Sequence, residues 1–426
     1  MGSEPQEEDT MKTLGAGILA ATLVTTGFMS TAAQADQKLT MWSRSSSETF
    51  MPPLIKAFNA SHKTQIELQI VPSDELVQKY ATAAAGGSAP DILSLDLVYT
   101  PAFAAAGQLE DLTDFAKGLS YFGQLSKAHI GAGTYNGHVY GLPMSADASV
   151  LLWNKKLFKQ AGLDPDKGPT NWAEITADAA KVNGLGNGVH GFYFSGACGG
   201  CNAFTFMPLI WASGGDILVD GGKRATLDTP QMHDAINFYR DLIAKGYVPE
   251  SAKTDAGDNF FGGFATDKIG ISPIGAFAIG NLVKNYPSVD FGVTYLPGKD
   301  GGKSSFGGGD NFVVTAGHLN KDAVREFLDF VYSVEGQTML AQAGSLPTRA
   351  DVAAEALKPL DQRYKIATDA MALGHTPSSP VYNDIINSRT GPWAQMLTEV
   401  FFGNDVDGSI KKAQDKMQSI INAAGN

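Results

Sequence analysis

The sequence predicts an α/β protein built on a parallel sheet, and three observations carry that prediction. Residues 38–42, 65–71 and 91–95 read as strands, the second by strict alternation. Between them, residues 48–61 and 73–85 read as helices, with Pro52 and Pro53 in the first turn of one and Asp74 and Glu75 in the first turn of the other. A β-α-β-α-β run of this kind requires parallel pairing, which places ligand sites outside the carboxyl ends of the strands. Trp42, Arg44 and Asp96 fall at two such ends.

The later elements are more mixed. Residues 137–150 form a hairpin-like stretch that leads into a strand at 151–154. Asn171 and Glu174 have capping-box spacing at the start of a helix. Strands at 192–194, 268–272 and 291–295 alternate with a helix over 230–245. A glycine-rich crossing at 301–309 precedes a strand at 312–315 and a helix over 321–334.

Composition bounds the function. The chain has 426 residues, 43% hydrophobic and 18% charged, as expected for a folded soluble protein. Its formal charge of −12 disfavours nucleic acid and anionic membranes as partners. Two cysteines are too few for a disulfide scaffold or a multi-cysteine metal site. Residues 1–10 carry four acids and no base. From Met11-Lys12 onward an apolar run to Met29 precedes Ala33-Gln34-Ala35, the pattern of a secretory signal peptide cleaved after Ala35. Residues 1–35 thus read as an upstream extension plus leader, and the mature chain as periplasmic. In an oxidising compartment Cys198-Gly-Gly-Cys201 reads as a disulfide stapling a loop.

Enzyme motifs fail. Gly186-Asn-Gly188-Val-His-Gly191 matches a dinucleotide fingerprint by letters, but runs from helix to strand, the reverse of the required order. His62, His129, His138, His190, His233, His318 and His375 show no metal-ligand spacing, so no metal and no cofactor is expected. What remains is a set of residue types suited to a sugar. Aromatic faces cover the apolar C–H surface of a ring, while carboxylates, amides and arginine bond its hydroxyls. Trp42, Arg44, Asp96, Asp147, Trp211, Phe277, Asp310 and Arg349 are of these types.

At these residues the sequence resembles the family 1 extracellular solute-binding proteins, the carbohydrate receptors of bacterial ABC importers. Gly86-Gly-Ser-Ala-Pro-Asp91-Ile-Leu-Ser-Leu-Asp96 resembles the family's G-x-x-P-D strand. Tyr140-Gly-Leu-Pro143-Met-Ser-Ala-Asp147, running on to Leu152-Trp153-Asn154-Lys155, resembles its first crossing. Asn171-Trp172-Ala-Glu174 and Leu209-Ile-Trp211-Ala-Ser-Gly-Gly215 are similar to second-lobe landmarks. Residues 264–277, 307–310 and Gly344-Ser-Leu-Pro347-Thr-Arg349 resemble later binding loops.

The resemblance implies a two-lobed periplasmic binding protein fold (type II-like), each lobe a central β-sheet flanked by helices, with a ligand cleft at the hinge. Lobe 1 would comprise 36–146 and 312–346, and lobe 2 would comprise 147–311 and 347–426. It implies ligand contacts from Asp96, Asp147, Gly309 and Arg349, with Asn202 and Tyr382 by rough alignment. Phe277 and Asp310 stand where relatives more often carry tryptophan, which implies a smaller or more polar sugar. It also implies a monomer in the mature form, the permease subunits of an ABC importer as partners, and no catalysis. Alternatives on the same scaffold are an alditol, a glycerophosphodiester, or an acidic or sulfonated sugar paired with Arg44 and Arg349. An exported glycoside hydrolase using Asp96 and Asp147, or a thiol oxidoreductase, is the remote alternative.

Overall fold

The computed structural model describes residues 37–424 except 74, 258, 260 and 261. The expected leader, 1–35, lies outside the described residues. Eight strands organise the molecule: β1 (Lys38–Arg44), β2 (Gln65–Val71), β3 (Ile92–Asp96), β4 (Gly141–Asn154), β5 (His190–Phe192), β6 (Ile269–Gly275), β7 (Phe291–Thr294) and β8 (Gly301–Val314). The main sheet runs β2-β1-β3-β8-β4-β6-β5, with β7 pairing β4. β1 is parallel to both β2 and β3, as the opening alternation predicts.

Helices cover both faces. In α1 (Met51–Ser61), Met51, Leu54, Ile55 and Phe58 are buried at helical spacing, and the two prolines occupy its first turn. They pack with Leu39 and Met41 of β1 and with Phe327 of a helix at Lys321–Val331. The opposite face of β1 carries Trp42 against α2 (Leu76–Gly86). In α3 (Trp172–Asn183) the Asn171 side chain caps the Glu174 N–H, as its spacing predicts. The Glu174 carboxylate does not close the box; it bonds the backbone and hydroxyl of Thr170.

β4 and β8, fourteen residues each, are the shared spine. They pair antiparallel from Gly307↔Ala148 to Val313↔Gly141. One end of β8 also pairs β3, and the far end of β4 pairs β6 and β7. Two larger apolar cores flank this spine. One gathers Trp172, Phe206, Tyr239, Trp393 and Phe401; the other gathers Met41, Phe58, Leu142, Phe312 and Tyr332.

Two expectations need correction. The glycine-rich segment at 301–309 is strand throughout, continuous with 312–314. Glycine is a poor strand former in general. Here it is required by close approach: a Cβ on Gly308 would stand 2.7 Å from the Phe204 ring, and one on Gly309 would stand 2.0 Å from the Ser145 carbonyl oxygen. Gly309 also holds φ +119°, which side chains disfavour. Secondly, Cys198 is not in a simple loop. It is the N-cap of α4 (Gly199–Thr205), and it forms the expected disulfide with Cys201 inside the first turn.

The rejected glycine motif at 186–191 connects α3 to β5, the order inferred from sequence. Among the described residues no helix is long and apolar enough to cross a membrane, and no group of His, Cys, Asp or Glu is arranged to hold a metal ion.

Gly309→Ala should destabilise the protein by about 2 kcal/mol or more, because a Cβ meets backbone on β4 in a left-handed conformation. Urea denaturation of the variant measures this, and an unchanged midpoint contradicts the close approach.

Candidate functional site

A cleft of about 370 Å³ opens where β1 and β3 end and the spine strands cross. Its polar floor begins with Arg44, the last residue of β1. One Nη donates to the Asp96 carboxylate at 2.8 Å, and the other pairs with Asp310. Asp96 and Asp310 are direct cross-strand partners on β3 and β8. Two carboxylates so placed repel each other, and the guanidinium between them removes the conflict. The second Asp310 oxygen accepts from the Ser94 hydroxyl at 2.7 Å, and the second Asp96 oxygen accepts from the Val98 N–H at 3.3 Å. Burial works against the Arg44 charge, but Asp310 and Asp96 hold its pKa above the ordinary arginine range. Burial raises the Asp96 pKa, opposed by Arg44.

Asp147, on β4, forms the next part of the floor. It accepts from the Phe277 N–H, 3.3 Å away, at the start of α5 (Phe277–Asn285). Burial pushes its pKa up to about 7, while the backbone N–H groups of Ala148, Phe277 and Ala276, and Arg44 more distantly, hold it down.

Aromatic groups wall the cleft. Phe277 is 42% exposed and lines the cavity. Phe204 on α4 packs on Phe306 with ring centroids 5.3 Å apart, and both line the cavity. Tyr382 is only 2% exposed, lines the cleft, and its hydroxyl has no hydrogen-bond partner among the described residues. It precedes a π-helix at Asn383–Asn387, a local winding common at functional sites. Asn387 of that turn lines the cleft and donates to the Tyr99 hydroxyl, which donates in turn to Asn383, both at 3.3 Å.

Of the residues singled out from sequence, Arg44, Asp96, Asp147, Phe277, Gly309 and Tyr382 line this one cavity. Asp310 lies fully buried directly beneath Arg44. Asn202 is buried on α4, its amide bonded to the Ser195 and Cys198 carbonyls, so it braces the helix that carries Cys201 and Phe204. Three others lie away from the lining. Trp42 sits beside α2 with the Lys79 ammonium 4.4 Å from its ring centroid. Trp211 donates to Asp216 and packs behind Phe306. Arg349 forms a two-pronged pair with Asp351, donates to the Tyr332 carbonyl and stacks over Tyr121.

Sequence reasoning missed Val98, Phe204, Phe306 and Asn387. Phe204, three residues past Cys201, was recoverable from the cysteine pair. Nothing local marks Asn387.

A family model for bacterial extracellular solute-binding proteins matches residues 43–338. The chain belongs to that family. Its relatives include a putative binding protein of Brucella abortus, 27% identical over 301 residues, covering 70% of this chain and 72% of the relative. The diacetylchitobiose-binding protein of Streptomyces coelicolor is 26% identical, covering 89% of each chain. Among solved structures, a solute-binding protein of Thermotoga lettingae bound with α-D-tagatose superposes with TM-score 0.77 at 25% identity, covering 90% of this chain and all of that one. The sugar-binding protein MalE of Xanthomonas citri shares the fold, with TM-score 0.80 at 18% identity, covering 91% of this chain and 98% of that one. These neighbours are two-lobed, so the fold implied by the sequence resemblance is the one found.

Two predictions follow from the floor of the cleft. Arg44→Met leaves Asp96 and Asp310 facing each other without their cation, and should cost on the order of 3 kcal/mol in chemical denaturation; an unchanged stability contradicts the bridging role. The Asp147 carboxyl, raised towards 7, binds a proton in the fold that it releases near pH 4 when unfolded. Native protein therefore loses stability from this group as pH rises between about 4 and about 7. The melting temperature of Asp147→Asn, taken relative to the unaltered protein, should climb across that window and level off above it. A flat difference contradicts the raised pKa.

Proposed function

We propose that this protein captures a sugar in the cleft and delivers it to an ABC importer. The observation that carries the reading is the pairing of carboxylate acceptors, Asp96 and Asp147, with aromatic faces from Phe204, Phe277 and Phe306 around one small cavity. Hydroxyls need the former and ring C–H surfaces need the latter. The diacetylchitobiose and tagatose ligands named for relatives support a carbohydrate.

The lobes are 36–146 with 312–346, and 147–311 with 347–426; the apolar core of Met41, Phe58, Leu142 and Phe312, drawn wholly from the first pair of segments, supports this division. Closure of the lobes buries the ligand, and the closed form is favoured by the contacts the second lobe adds. The closed, monomeric protein then docks on the permease subunits. Export to the periplasm rests on the leader pattern at 1–35 and on the extracellular family. No chemical step is required, and binding alone accounts for the arrangement.

An anionic ligand on the same scaffold has less support. Relatives include sn-glycerol-3-phosphate-binding proteins, but the arginines that would pair with an anion are committed elsewhere, Arg44 to two carboxylates and Arg349 to Asp351.

A thermal-shift screen of the mature protein against mono-, di- and trisaccharides, alditols and acidic sugars tests the reading. A ligand at a hundred times its Kd should add about 2.7 kcal/mol of stability. Stabilisation by a peptide, metal or amino acid, with none by any sugar, contradicts it.

A further inference from the structure

We infer that the sugar this cleft prefers carries a protonated amine, seated beside Asp147. The inference rests on the sugar reading and narrows it by charge. The ionisable side chains on the floor of the cleft are the carboxyls of Asp96 and Asp147 and the guanidinium of Arg44, with Asp310 directly behind. Arg44 divides its two Nη groups between Asp96 and Asp310, so that trio already carries a net negative charge. Among the described residues no lysine lines the cleft.

Asp147 is the carboxylate left over. Its partners are backbone N–H groups of Ala148, Ala276 and Phe277, and the ionisable groups that act on it or feel it are Arg44 and Tyr364. A carboxylate enclosed by lobe closure must be neutralised or paired, since desolvating an uncompensated charge is costly. An ammonium on the ligand supplies that pairing with a charge-assisted hydrogen bond. A neutral hydroxyl supplies only part of it, and a carboxylate, sulfonate or phosphate adds to the repulsion.

A second feature shows that the cavity is furnished for a polar guest. Tyr382 is almost wholly buried and lines the cleft, bringing to it a phenol able to bond a ligand hydroxyl. The Phe277 ring, next to the N–H that binds Asp147, offers a face for the sugar ring that carries the amine. At about 370 Å³ the cavity is at the small end of ligand sites, in keeping with a compact sugar.

Calorimetry on the mature protein at pH 7 and fixed ionic strength tests the inference. The probes are glucosamine, galactosamine and a free-amine chitosan disaccharide, each beside its N-acetylated counterpart. Glucose, galactose, glucuronate, choline and putrescine complete the set. At least one amino sugar should bind tenfold or more tightly than both its N-acetylated and its neutral parent sugar, with glucuronate weakest. Asp147→Asn should shrink that ratio to threefold or less. Phe277→Ala should weaken amine and parent sugar together and leave the ratio intact.

A neutral or N-acetylated sugar binding as tightly as the amine overturns the inference while the sugar reading stands. Choline or putrescine outcompeting every sugar overturns the sugar reading while the cation preference stands. A ratio that survives Asp147→Asn overturns the assigned contact, and binding by none of the probes overturns both readings.

Discussion

Asp96 and Asp310 face each other across the β3–β8 ladder, an arrangement that repels unless a cation lies between them. Arg44 supplies it from the end of the neighbouring strand. This bridge fixes the ends of β1 and β3 to the interior of β8 at one point and commits the guanidinium before any ligand arrives. It also leaves the floor of the cleft acidic, because one cation faces two carboxylates there and Asp147 stands a short way off. The geometry of the sheet and the chemistry of the site meet in this one constraint.

The rest of the cleft is positioned by elements that tolerate little change. Gly308 and Gly309 let the spine strands approach Phe204 and Ser145 without a side chain between them. The Cys198–Cys201 bond and the buried Asn202 amide hold the first turn of α4, which presents Phe204. Packed beside α4, the π-helix carries Asn383 and Asn387 to Tyr99. Tyr99 itself packs on two apolar clusters, one with Val98 and Tyr382 and one with Tyr80 and Phe103.

How far the sequence could be read follows from where each signal lies. The β-α-β-α-β opening was legible because alternation and prolines in a first turn are local; the second helix starts only at Leu76, so Glu75 is its N-cap and not a first-turn residue as expected. Arg44 and Asp96 were legible because they end strands whose direction that opening fixes, whereas Asp147, inside a later strand, was legible only through its residue type and the family resemblance. Trp42 shares the sheet face of Arg44, two residues earlier, but α2 covers it there, and no local pattern reports which helix covers which residue. Arg349 matched a family motif, yet Asp351 two residues on is the partner it takes. The strand at 301–309 was hidden because its glycines report a tertiary approach rather than a local preference. Asn387 belongs to a π-turn that packing creates, so composition around it carried no signal.

The central claim is that the Arg44-bridged floor and its aromatic walls hold a polyhydroxylated ligand between two closing lobes. A crystal structure of the protein purified with its own bound ligand, or soaked with the tightest sugar found, tests this most directly. The account predicts a sugar in the cleft, with hydroxyls or an amine within hydrogen-bond distance of Asp96, Asp147 and Tyr382, a ring against Phe277, and the Arg44 bridge intact. A ligand lodged elsewhere, such as the groove beside Trp42 and Lys79, or Arg44 released from Asp96 and Asp310 to hold an anion, would contradict it.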